Sequence, residues 1–460
     1  MAKEKDILLG QLRSGSPMTT YDQFRLTLML SVPAILAQFS SVMMQYIDSA
    51  MVGSLGANPS ASIGLVATST WILSGFAMAA SSGFSVQIAH LCGSRDFQEA
   101  RQVSRQGLFS MLLFTLLLSA AGMAISPFLP GWLGGGAEIA ADASRYFLIY
   151  AAFIPVGCVG WSASMMLQAS GNMKVPSMMY IAMCVLDVIF NYIFIFLCDM
   201  GVAGAALGTG MSEVVTTAFI LWYLFHRSEE LSGKGERVSV LPSRGVLRNA
   251  LGITSPMWLQ NIIMRGAYVA STIIVAPLGP IAIAANAFAI TAESFCYMPG
   301  YGIEEAATTL VGQSLGAGRK DLARKFARIT ILMAAAIMSL LAIAMFFSST
   351  VLMDILSNDA GVISLGSKVL RIEAFAETLY AVSIVGYGIC VGAGDTLVPS
   401  LMNFCSMWLV RIGLSIVLTP KYGLQGYWIA MCIELNIRGL LFIWRLKGER
   451  WMKDRLIKVK

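Results

Sequence analysis

Residues 26–53, LTLMLSVPAILAQFSSVMMQYIDSAMVG, carry a single charged side chain, Asp48. A helix that crosses a bilayer needs ~20 mostly apolar residues, because each backbone polar group must be satisfied inside its own segment. Eleven more such stretches follow, and they predict spans at 61–90, 104–126, 142–168, 175–198, 202–225, 247–276, 281–311, 327–352, 365–390, 397–419 and 424–445. Composition agrees: 13% of residues are charged, where soluble domains carry about 25%. The chain reads as an all-α membrane protein of twelve transmembrane helices, with the lipid bilayer as its first partner.

The net charge of +6 is no sign of nucleic acid, since the basic residues sit in short connections. With both termini inside, the cytoplasmic segments hold most of the Lys and Arg, and the far side keeps Arg145, Lys368, Arg371 and Lys421. That bias predicts an even number of spans and cytoplasmic N- and C-termini in a cell membrane. The N-terminal segment lacks the compact apolar core and small-residue cleavage site of a signal peptide. The eight cysteines fall mostly in apolar stretches without paired spacing, and the two histidines are far apart, so no metal site is expected.

The longest polar interruption, 226–246, divides the chain into an N-terminal segment (1–25), an N-lobe (26–225), a C-lobe (247–445) and a basic tail (446–460). A shift of 223 residues superposes the lobes. Pro33 falls on Pro256, Gly56 on Gly279, Gly93 on Gly316, Arg101 on Arg324, and Gly171 with Pro176 on Gly394 with Pro399. Six spans per lobe make the repeats parallel, related by a pseudo-two-fold along the membrane normal, which is a transporter architecture.

The same shift marks where the lobes differ. Asp48 falls on Ser271, and Asp187 falls on Val410. The repeat does not require either acid, and an ionisable group at membrane depth is read as functional. Asp187 and Asn191 stand at i and i+4 on one helix face, a pairing that suits sodium or a proton. Thr209 in the sixth span adds a hydroxyl, and Glu213 follows one turn later. The alternative for Asp187 and Asn191 is mutual satisfaction. In the C-lobe, Arg265, Glu293, Glu373, Glu377 and Arg411 are intramembrane charges, with Arg265 a partner for Glu293 or Glu377. Glu434 and Arg438, at i and i+4, read as a neutralising pair. No nucleotide loop, nucleophile elbow or HExxH motif is present. The chain is therefore read as no enzyme, without cofactor, driven by an ion gradient or by a partner protein.

PAILAQFSSVMMQYIDSAMVGSLG, LDVIFNYIFIF followed by GVAGAALGTG, YGIEEAATTLVGQSLGAG and GAGDTLVPS, in this order over roughly 25–445, resemble the multidrug and toxic compound extrusion (MATE) family, NorM-like branch. The resemblance implies a twelve-helix antiporter that exports drugs and organic cations in exchange for Na+ or H+, and the two-lobe repeat suits rocker-switch alternating access; oligomeric state stays open, with a monomer expected. It also implies a coupling-ion site at Asp48, Asp187, Asn191 and Thr209. Two departures stand out. Some relatives reverse the Asp–Asn order of the fifth helix. The C-lobe acids of NorM-like relatives align near Met264 and at Tyr380, neither of which is acidic. A flippase for lipids or lipid-linked oligosaccharides, from the same superfamily, is the alternative.

Overall fold

Helices start where the chain supplies a cap or a turn. Asp96 accepts from the Glu99 amide at 3.0 Å and opens Phe97–Ile125, and Asp359 accepts from the Gly361 and Val362 amides and opens Ala360–Glu373. Pro280 follows Gly279 at the head of Pro280–Gly316. The computed structural model describes residues 2–233 and 239–452.

In chain order the helices are α1 (Ala2–Ser14), α2 (Thr20–Gly53), α3 (Ala57–Gly93), α4 (Phe97–Ile125), α5 (Leu129–Trp132), α6 (Ala137–Ala169), α7 (Lys174–Asn191), α8 (Gly201–His226), α9 (Arg244–Val275), α10 (Pro280–Gly316), α11 (Lys320–Leu356), α12 (Ala360–Glu373), α13 (Glu377–Gly392), α14 (Leu397–Cys405), α15 (Gly413–Tyr422) and α16 (Leu424–Lys447). A π turn, Tyr192–Leu197, extends α7, and another, Ser406–Ile412, joins α14 to α15.

Ten helices among the described residues are long and apolar enough to cross a membrane, counting α7 and α14–α15 through their π turns. The eleventh span is α12 with α13, bent by 62° across a short break. The twelfth is α16, whose apolar run is diluted by Glu434 and Arg438. The architecture is all-α, with twelve membrane helices in two six-helix halves. The tenth predicted span, 365–390, differs from expectation: it is two helices, and Glu373 and Glu377 flank the break. The expected linker 226–246 includes residues 234–238, and the expected tail 446–460 includes 453–460; both pieces lie outside the described residues.

The repeat is written in the backbone as well. Gly56 and Gly279 both have positive φ, at 117° and 91°, and so do Gly171 and Gly394, at 94° and 74°. After α6 the Gly171 amide donates to the Gln168 carbonyl and that of Asn172 to Leu167. After α13 the Gly394 amide donates to Val391 and that of Asp395 to Cys390, each 223 residues on. The turn is the left-handed helix stop that glycine allows without steric cost.

Two compact units divide the described residues, 36–254 in one, and 2–35 with 255–452 in the other. The divisions fall inside α2 and α9, within three residues of the repeat-matched prolines Pro33 and Pro256. Each of these helices thus starts in one unit and ends in the other, so the units are not cut at the 226–246 segment. Within the second unit, α1 buries Leu8, Leu9 and Leu12, and its Arg13 Nε donates to Gln313 of α10 at 3.1 Å.

Candidate functional site

Asp48 lies in the last turns of α2, and Asp187 and Asn191 lie at the end of α7. The fold brings the three together. Asn191 Nδ2 donates to Asp48 Oδ1 at 2.9 Å and to Asp187 Oδ2 at 2.9 Å. Both amide protons are then used. Two carboxylates that share one nitrogen stand no more than about 6 Å apart, close enough for strong repulsion if both are charged.

Asp187 is fully buried and Asn191 is 1% exposed, whereas Asp48 is half-buried. Asp187 Oδ1 and Asn191 Oδ1 are buried acceptors without a hydrogen-bond partner in the structure. Leaving such atoms unmet costs ~1–3 kcal/mol each, more for a charged group. A cation ligated by these oxygens, or a proton on an aspartate, would relieve both that cost and the repulsion. An oxygen-only donor set of two carboxylates and a carboxamide fits a hard cation.

Two backbone features make this geometry. The π turn begins directly after Asn191, and such wide turns occur often at functional positions. On α8, Gly208 lies against Asn191, where an added Cβ would collide with the amide oxygen. Glycine there lets α8 approach closely. Thr209 is the next residue and is half-buried, but among the described residues its hydroxyl makes no hydrogen bond to the acids or to Asn191.

Glu213, one turn further along α8, is half-buried and lines a separate cavity of about 100 Å³ among α6, α7 and α8. Trp161 and Tyr180, edge to face at 5.6 Å, form one wall together with Met179 and Met183. The indole nitrogen of Trp161 is buried without a hydrogen-bond partner. Gly157 and Gly160 of α6 face Glu213 and Thr217, and a Cβ on Gly157 would come within 2.5 Å of the carboxylate. Sequence reasoning missed this aromatic wall. It also missed Tyr146 and Tyr150 of α6, stacked at 6.5 Å, of which Tyr146 lies within electrostatic reach of Asp48, Asp187 and Glu213. Their i, i+4 spacing was the available signal, and nothing in it distinguishes a site from packing.

The C-terminal acids gather elsewhere. Glu434 accepts from Arg438 Nε at 2.7 Å and from Arg411 Nε at 3.2 Å, with ion pairs of 2.6 and 3.1 Å to their Nη2 atoms. The neutralising pair read from the i, i+4 spacing is present, with Arg411 as a third member. Arg265 is exposed, and Arg411 is the arginine beside Glu293 and Glu373. Tyr380 packs edge to face on Tyr297 at 5.9 Å, one turn beyond Glu377.

The MatE family model matches this chain twice, over residues 33–193 and 256–417, and the two matches begin at the paired prolines. A probable multidrug resistance protein NorM of Thermotoga maritima is 25% identical over 442 residues, covering 93% of each chain. The multidrug resistance protein MdtK of Yersinia pestis is 25% identical over 449 residues, covering 94% of this chain and 96% of its own. Among solved structures, the Vibrio cholerae MATE transporter VcmN in its bent form superposes with a TM-score of 0.87 at 20% identity, over 94% of this chain and 99% of its own. A MOP superfamily transporter from Pyrococcus furiosus superposes with a TM-score of 0.87 at 19% identity, over 96% and 98%.

Proposed function

The chain belongs to the MatE family of transporters, and from that premise we propose that it is a secondary active multidrug exporter that exchanges a monovalent cation for drugs or organic cations. The observation that carries this reading is the pair of acids joined through Asn191, with two buried acceptor oxygens unmet. Such a group lowers its free energy by taking up Na+ or H+, and binding is the step that an ion gradient can drive.

Asp48 and Asp187 take the coupling ion, Asn191 holds them in register, and Thr209 completes the set when the ion is present. Half-buried Asp48 is the point of entry, and fully buried Asp187 is the terminus. The drug is taken by the cavity beside Glu213: its carboxylate answers a positive charge, and Trp161 and Tyr180 supply faces that attract a cation. Thioethers at Met179 and Met183 adapt to varied shapes. Ion and drug then compete through negative charge on adjacent parts of α8, and the protein alternates its access between the two sides of the membrane. It works as a monomer in the bacterial inner membrane, with both termini in the cytoplasm.

Ethidium efflux from proteoliposomes, with sodium and proton gradients imposed separately, tests this. Efflux is expected to follow one gradient and to vanish with Asp48→Asn at unchanged protein levels. Full efflux by that variant would overturn the ion assignment. Transport of lipid-linked sugars, with no efflux under either gradient, would overturn the drug assignment in favour of a flippase.

A further inference from the structure

α1 precedes the six-helix repeat and has no share in its spans. A helix of its length, 13 residues, is marginal on its own in water, where helices shorter than about 12–15 residues rarely persist. α1 exists because it is docked, with Leu8, Leu9 and Leu12 buried.

The docking is written into the turn between α10 and α11. Under the 223-residue shift, Gly318 and Arg319 correspond to Arg95 and Asp96. The backbones match, since Gly318 and Arg95 have φ of 74° and 61°. The chemistry does not. Asp96 caps α4, whereas Arg319 holds the same cap position on α11 and makes no side-chain cap bond there. Its Nη1 donates instead to the carbonyl oxygens of Gln11, at 3.3 Å, and Ser16, at 2.7 Å. These lie at the close of α1, where the backbone dipole draws a positive charge. The bond from Arg13 to Gln313 secures the same end.

The corner from α1 to α2 is stiff. Gly15 stops α1 with φ of 81°. Met18 is buried, and Gln23, 1% exposed, donates from Nε2 to its carbonyl at 3.0 Å. Thr19 and Asp22 bond reciprocally, each backbone amide donating to the other's side chain at 3.0 and 3.1 Å. Beyond the corner, Glu4 of α1 pairs with Arg25 of α2. Further on, α2 passes α10 so closely that a Cβ on Gly302 would come within 2.6 Å of the Ile35 amide nitrogen.

We propose that α1 and residues 20–35 of α2 form one bracket clamped to α10 and the head of α11, and that this clamp is the anchor against which the rest of α2, carrying Asp48, works. The bracket is held at Arg319, at Gln313 and at Gly302, so its position is set from both ends. The anchor is adjustable, because α1 is short and folds only while docked. Whatever displaces α1 loosens residues 20–35 and slows transport. That last consequence rests on the reading of the chain as an exporter; the clamp itself does not.

Hydrogen exchange of the whole protein in nanodiscs, read by mass spectrometry, tests this beside ethidium efflux from proteoliposomes. Arg319→Ala removes hydrogen bonds from a charged donor and is expected to raise exchange about tenfold in residues 2–14. The rise should carry into residues 20–30, leave α4 unchanged, and come with efflux several-fold slower. Glu4→Arg should act in the same direction, and Glu4→Arg with Arg25→Glu should restore the wild-type pattern. This charge swap decides the case if Arg319→Ala fails to fold. Unchanged exchange in folded Arg319→Ala and Glu4→Arg would overturn the proposal. A loosened α1 beside residues 20–30 that exchange as in the wild type would overturn it too, by making α1 a passenger, and so would undiminished efflux with α1 loosened. A wild-type chain that exports nothing would fail the exporter reading instead, and the exchange pattern alone would then decide the clamp.

Discussion

Both halves bury acids in the membrane, and they neutralise them differently. In the N-terminal half two aspartates share one asparagine, Asp48 is half-buried, and among the described residues no arginine takes part in the hydrogen-bonded group. In the C-terminal half Glu434 is gripped by Arg411 and Arg438, and three more glutamates are sealed beside them. A carboxylate held by the protein's own arginines is structural, because its counter-charge cannot leave. A carboxylate that must borrow its counter-charge from outside is free to exchange it. One repeated scaffold therefore carries an internal ion pair in one half and, on the proposed reading, an exchangeable site in the other.

The sharpest way to break this comparison is to neutralise one acid in each half. Asp48→Asn or Asp187→Asn should abolish gradient-driven efflux while leaving the fold intact, since either removes a repulsion; efflux and thermal unfolding measured on the same preparation would show the split. Glu434→Gln should do the reverse. It leaves two arginines buried without their partner, a loss of about 3–5 kcal/mol, visible as a lower melting temperature.

A smaller contrast comes from repeat-matched turns. Asp395 is 2% exposed and pairs with Arg445 Nη2 at 2.5 Å, whereas its counterpart Asn172 donates to the Tyr223 hydroxyl at 3.0 Å. Asp395→Ala should cost about 1.5–3 kcal/mol and Asn172→Ala about 1 kcal/mol, because hydrogen bonds to charged groups are the stronger ones and half-buried Arg445 keeps only the Arg450 carbonyl. Equal losses in denaturation would contradict the assignment of permanent charge pairing to the C-terminal half. The smallest change is Gly208→Ala, where one methyl group presses on Asn191. It should weaken the ion dependence of efflux several-fold, with destabilisation of about 1–3 kcal/mol, and unaltered ion dependence would detach α8 from the site.

Much of this was legible in the residue order. Hydropathy marked the spans, and the 223-residue shift isolated Asp48 and Asp187 as acids without a repeat partner. Asn191 followed from helical spacing. The break in the tenth span was not legible, because residues 374–376 are Ala, Phe and Ala, with neither proline nor glycine to announce it. Arg411 as the clamp on Glu434 was hidden for a different reason: the two lie on different elements, and no helical spacing links them. The aromatic wall beside Glu213 is assembled from separate helices, and its residue types are common in any membrane span.

The π turns have a consequence for how such chains vary. A wide turn holds one residue more than the α-helical register needs, and Tyr192–Leu197 places that surplus directly after Asn191. Deleting a single residue there restores ordinary winding and leaves the helix on either side close to its present facing, because the wide turn already absorbs the surplus. The helix thus has a built-in site for length variation beside its most sensitive side chain. Descendants of this sequence can lose one codon there while Asp187 and Asn191, both ahead of the turn, keep their common helix face.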